Sequence, residues 1–211
     1  MPQPFKPGRL VVEGKDDLHV VMALCNHYAL PETFDVVAPG GVDALIAGIP
    51  VRLKESSVRA IGVVINADQD AQARWTAVTR PFVEAGYGNI PPIPAPDGTI
   101  VELARRPRVG IWMMPDNQVS GMLEDFVAHL IPPHDQLLPR ARVIVQALED
   151  EGVHQHARVH RSKAVMHTWL AWQQQPGQPL GLAITANALM RDATRARAFA
   201  DWLRRLFAFP A

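Results

Sequence analysis

The sequence predicts an α/β fold, with a mostly parallel sheet covered by helices on both faces and a helical C-terminal third. Three observations carry this. Ala60–Ile65 (AIGVVI) and Val109–Met114 (VGIWMM) are continuous apolar runs of strand length, the pattern of strands buried on both sides. Strand-like and helix-like segments alternate through the first two-thirds of the chain. Beyond about residue 132 only helical patterning remains.

Arg9–Val12 is a short Val-rich run that ends at Glu13-Gly14. Asp16 and Asp17 follow where helix caps belong, before apolar positions at Val20, Val21, Leu24 and Tyr28. Phe34–Ala38 reads as a second strand stopped by Pro39-Gly40-Gly41, and Val42–Leu53 as a helix interrupted or ended near Pro50. AIGVVI is the third strand, and residues 71–85 form the next helix. Residues 88–108 carry the heaviest proline load, and Pro96-Asp97-Gly98 marks a turn between two short extended pieces of an edge hairpin. VGIWMM ends at Pro115-Asp116-Asn117, and a helix follows from about Ser120 to Leu130. Residues 135–151, 162–174 and 191–207 read as three further helices. The last places Ala196, Phe199, Ala200, Leu203, Leu206 and Phe207 on one apolar face.

Composition narrows the function classes. The chain has 211 residues, an apolar fraction of 48%, and equal numbers (21 each) of basic and acidic residues, so bulk charge does not drive its binding. The single Cys25 excludes an intramolecular disulfide framework and a multi-cysteine zinc cage. No apolar run is long enough to span a bilayer, and MPQPFKPGRL lacks the apolar stretch of a signal peptide, so a soluble cytoplasmic protein without a membrane partner is expected. The charge is unevenly spread: residues 1–139 carry 11 Lys/Arg against 16 Asp/Glu, and residues 140–211 carry 10 against 5. That division suits a front that holds a cation and a back that meets a polyanion; two solvated helix faces would produce it equally well.

Acidic residues follow three of the strands: Glu13, then Asp68 and Asp70, then Asp116. In a parallel sheet those strand ends share one rim. One acid after a strand is commonly a turn or a helix cap. Several together repel one another unless a proton or a cation is present, and a hard divalent ion takes oxygen ligands.

Leu10-Val11-Val12-Glu13-Gly14-Lys15-Asp16-Asp17 resembles the first motif of the Toprim fold, an apolar strand ending in Glu-Gly with an Asp shortly after. Ile65-Asn66-Ala67-Asp68-Gln69-Asp70 is similar to its second motif, a strand ending in Asp-x-Asp, at the expected separation of about fifty residues. Gly110–Asn117, Gly121–Asp125, Lys163 and Trp169–Gln173 extend the likeness to a small stand-alone Toprim-like family of uncharacterised function, related to the Toprim domains of the overcoming-lysogenisation-defect nucleases. The resemblance implies one Toprim-like Rossmannoid domain over residues 1–211, with a core at about 8–131 and a helical extension at about 132–211. It departs from the motif at Asn66, where Toprim enzymes carry the first Asp; Asn offers a carbonyl oxygen but neither charge nor a base.

The resemblance implies a Mg²⁺ (or Mn²⁺) site and phosphodiester hydrolysis on nucleic acid, DNA or RNA. Carried over, Glu13 is the catalytic acid/base and a metal-bridging group. Asp68 and Asp70 are metal ligands, with Asn66 a weaker one and Glu124 a contributor to a second position. For Glu124 and Asp125 the competing reading is charge complementarity at a helix start. Lys163 is a catalytic lysine that contacts the scissile phosphate, or else a solvated helix lysine. Arg158, Arg161 and Lys163 are candidate nucleic-acid contacts, and His154, His156, His160 and His167 are expected on the surface near them rather than around zinc. Trp169 and Trp172 are expected in the core. Only Tyr28 and Tyr87 exist, both in the core region, so strand passage through a tyrosyl intermediate is not supported. The alternative function is a catalytically silent binding or regulatory module partnering another protein such as an ATPase, which Asn66 favours.

Overall fold

The computed structural model describes residues 5–185 and 189–208. Five strands form one sheet: β1 (Gly8–Val12), β2 (Phe34–Val37), β3 (Ala60–Asn66), β4 (Thr99–Val101) and β5 (Arg108–Met114). Their order across the sheet is β2-β1-β3-β5-β4, parallel except for β4, which runs antiparallel to β5. Between them lie helices α1 (Lys15–His27), α2 (Val42–Arg52) and α3 (Ala71–Glu84). After β5 come α4 (Leu123–Ala128), α5 (Leu137–Asp150), α6 (Arg161–Ala171), α7 (Leu180–Thr185) and α8 (Thr194–Leu206), with one 3-10 turn at Arg158–His160.

Alternation along the strands assigns each helix to a face. Val11, Val63, Ile65, Ile111 and Met113 point to one side, where they pack with Leu45 and Ile49 of α2 and Trp75, Val78 and Phe82 of α3. Leu10, Val12, Val64, Trp112 and Met114 point to the other, against α1 and the C-terminal helices. The two apolar runs therefore read as continuous because both faces of β3 and β5 are covered. No described helix is long and apolar enough to cross a membrane.

Helix α8 lies directly on the sheet. Gly62 and Gly110 are register partners on neighbouring strands. A Cβ on Gly62 would stand 2.6 Å from Leu10 Cδ1 and 2.8 Å from Leu206 Cδ2, and one on Gly110 would stand 2.7 Å from Leu206 Cδ2. Trp202 and Phe199 settle beside this strip, with the Trp112 and Phe199 rings 5.2 Å apart and nearly perpendicular. Gly62→Ala is expected to destabilise the fold by about 1–3 kcal/mol through overpacking, read as a lower urea midpoint at unchanged slope.

The structure differs from the sequence reading in three details. The turn at Pro96–Gly98 is not the hairpin turn; the antiparallel pair is β4 with β5, joined through residues 102–107. Helix α2 ends at Arg52, two residues past Pro50, where the sequence reading places its end. The Gly181-containing helix α7 escapes periodicity because it is short, and it exists through a nonlocal contact: a Cβ at Gly181 would stand 2.8 Å from the backbone of His19. Trp169 is buried as expected, but Trp172 is 38% exposed.

Candidate functional site

The chain leaves β1 to pair β2 on one side, then crosses back to lay β3 on the other side of β1. The carboxyl ends of β1 and β3 thus flank the point where the strand order reverses, where an open α/β sheet leaves a crevice. Glu13 follows β1, and Asn66 ends β3. The backbone N–H of Asn66 donates to Glu13 Oε2 at 3.1 Å, joining residues fifty-three positions apart. Burial raises the pKa of the Glu13 carboxyl above its ordinary value and the charge of Asp68 adds to it; the Asn66 amides and Arg74 pull the other way without cancelling it.

Asp17 completes the first strand end. Gly14, in an extended conformation, is the N-cap of α1, and Asp17 in the first helical turn accepts from Gly14 N through Oδ2 at 3.0 Å. This is the cap that the sequence suggests, but it uses only one oxygen. Asp17 is 5% exposed, and its Oδ1 is buried without a partner. Burial, then the charge of Glu13 and more weakly that of Glu124, push its pKa up to about 7. The i, i+4 spacing of Glu13 and Asp17 about the Gly14 turn was the available signal; an Asp after Gly at a helix start conceals it by reading as a cap.

Glu124 comes from a third element. It lies in the first turn of α4, 3% exposed, with Oε1 3.3 Å from Lys163 Nζ on α6. Its neighbour Asp125 accepts from Met122 N at 2.8 Å and from Ser162 Oγ at 2.7 Å, which docks the start of α6 over the start of α4. Burial disfavours the Lys163 ammonium, but Glu124, Asp16 and Asp17 outweigh it and hold its pKa above the ordinary value. Removing the cation by Lys163→Met leaves Glu124 buried and unpaired. The expected cost is about 1–3 kcal/mol in urea denaturation, below that of a fully buried pair because Lys163 is partly solvated.

The second-motif residues are each engaged. Asn66 Oδ1 accepts from Leu123 N at 2.8 Å, satisfying the first amide of α4. Asp68 adopts a left-handed conformation (φ 52°) and exchanges two backbone hydrogen bonds of 2.8 Å with Gly121, whose φ is 145°. Its carboxylate pairs with Arg74. Asp70 caps α3 by accepting from Ala73 N at 2.9 Å and is exposed. Asp68, Asp70, Arg74 and Arg158 line one open cavity of about 690 Å³ beside the rim.

Three candidates stand apart from this assembly. Asp116 binds Arg195 and the amides of Gln118 and Val119. Burial would raise its pKa, but those donors hold it below the ordinary value, so it clamps α8 to the end of β5. Arg161 is tied to Glu149 Oε2 at 2.9 Å and to Gln146. Of the histidines, His156 reaches Glu149 while His154, His160 and His167 are exposed.

The donor chemistry fits a hard divalent cation: Glu13, Asp17 and Glu124 offer oxygen only, they exceed the one lysine among them in charge, and one buried carboxylate oxygen lacks a partner. Among the described residues no group of three or more His, Cys, Asp or Glu side chains is drawn together tightly enough to cage an ion.

The model of a family described as a protein of unknown function, DUF3226, matches residues 7–208. No curated protein and no solved structure matches the chain.

Proposed function

Because the chain belongs to the DUF3226 family, whose description assigns no activity, the site itself must argue the chemistry, and we propose that it is a Toprim-like, Mg²⁺- or Mn²⁺-dependent phosphodiester hydrolase acting on nucleic acid in the cytoplasm. The observation that carries the reading is that Asp17, buried with its Oδ1 unpartnered, feels the charge of Glu13 and more weakly that of Glu124 near the strand-order reversal, with Lys163 paired to Glu124. Buried carboxylates in excess of buried cations are costly, and a protein tolerates that arrangement where a ligand relieves it.

Glu13 and Asp17 would hold the metal, with Glu124 and Asp68 within the same charge cluster. When bound, the cation neutralises charge developing on a phosphoryl group and lowers the pKa of a bound water. Glu13, with its pKa raised, is suited to take a proton from an attacking water and return it to the leaving oxygen. Lys163, nearly half exposed at its side chain, can turn from Glu124 to a non-bridging phosphate oxygen. Arg158 in the adjoining cavity would meet a flanking phosphate, while Arg74 stays paired with Asp68. Arg161 is withdrawn from that role by Glu149.

One observation favours the second reading, a silent module that partners another protein such as an ATPase. Asn66 is spent on α4 and Asp68 on Arg74, so both positions of the second motif already have partners. Calorimetric titration with Mg²⁺ and Mn²⁺ separates the two. The hydrolase reading expects binding that weakens in Asp17→Asn, together with metal-dependent cleavage of single- or double-stranded DNA or RNA. No binding of either ion to folded protein favours the silent module.

A further inference from the structure

Helix α5 buries Leu138, Ala141 and Val145 in the core, yet the stripe adjoining that face is also apolar. Val143 is 68% exposed, Ile144 44% and Leu148 42%. Trp172 stands beside them, and with Leu137, Pro139, Arg140, Val143 and Ile144 it lines a groove of about 470 Å³. A helix apolar on two faces has two partners, and the described residues supply one.

The order of residues along the stripe identifies the other. Arg140 stands at one end and Glu151 just past the other, with Val143, Ile144, Ala147 and Leu148 between them, all exposed. Neither Arg140 nor Glu151 has an ion-pair partner among the described residues. Turned end over end, the stripe is complementary to itself: Arg140 meets Glu151, Val143 meets Leu148 and Ile144 meets Ala147. An isologous contact about a two-fold axis requires this property.

We infer that α5 packs antiparallel against α5 of a second copy of this chain, about an axis level with residues 145 and 146, closed at each end by an Arg140–Glu151 ion pair. The same axis turns Leu148 and the 61%-exposed Val153 of one copy toward the groove beside Trp172 of the other. One helix pair covers less than the ~800 Å² per partner of a standard interface, so the dimer is weak, with a dissociation constant of roughly micromolar order. The inference is independent of the hydrolase reading, since none of these residues touches the acidic rim.

Sedimentation equilibrium of the full chain across the micromolar range tests it. A reversible monomer–dimer equilibrium is expected, and Ile144→Asp, at an exposed position, abolishes the dimer while the circular dichroism spectrum is retained. Arg140→Glu sets like charges against Glu151 twice over and weakens association about tenfold or more. Arg140→Glu combined with Glu151→Arg restores it to within about threefold of the native chain. A chain monomeric throughout that range, a dimer indifferent to Ile144→Asp, or a charge-exchanged variant that folds but does not recover each overturns the inference.

Discussion

Glu13→Gln is expected to lower metal-dependent phosphodiester cleavage by about 10²–10⁴-fold, the range that a positioned acid/base contributes. The substitution keeps an oxygen to accept from Asn66 N, so the link between β1 and β3 survives. It removes the proton-accepting group and one unit of charge from the rim, and with them the raised pKa that burial and Asp68 impose on the carboxyl. Loss of the acidic, ascending limb of the pH–rate profile together with the fall in rate would assign the proton transfer to this residue. A Glu13→Gln variant that cleaves at the native rate removes Glu13 from the chemistry.

Asp17→Asn is expected to raise the stability of the metal-free fold above neutral pH. With its pKa raised from 3.8 to about 7 in the fold, the carboxyl keeps its proton between those values while the unfolded chain releases it. Stability is therefore lost as pH rises through that window, by on the order of 4 kcal/mol once both states are ionised. Below about pH 4 the group is protonated in both states and the loss vanishes. Asn keeps an acceptor for Gly14 N and carries no charge. At pH 8 the metal-free variant should melt several degrees higher than the native chain, about 2–4 °C for each kcal/mol, and the gap should close near pH 4. Added Mg²⁺ should raise the melting temperature of the native chain more than that of the variant. A variant less stable than the native chain at pH 8 contradicts the electrostatic account of the rim.

These expectations rest on features that the sequence revealed unevenly. The strands β3 and β5 were legible because burial on both faces makes every position apolar, and α8 because one face of it alone meets the sheet. The rim was legible as a set of acids at strand ends, and Glu13 does meet Asn66 there. What each acid does was not legible, since that depends on partners distant in sequence. Asp70 and Asp125 close helix ends, Asp116 holds Arg195, and Asp68 holds Arg74. Asp17 reads as a cap and is one, but the burial of its second oxygen and the nearby charge of Glu13 exist only in the folded chain. Asn66, which reads as a lost ligand, is the acceptor that seats α4. Trp172 was misplaced because α6 ends at Ala171, which leaves Trp172 as the helix C-cap rather than on its buried face.

The central claim is that the ends of β1 and β3 form a divalent-cation site. The most direct measurement is anomalous scattering from a crystal of the native chain soaked in manganese. The account predicts a peak at ligand distance, about 2.0–2.2 Å, from carboxylate oxygens of Glu13 and Asp17. A rim without a peak in a crystal whose soak is shown by manganese elsewhere would contradict it.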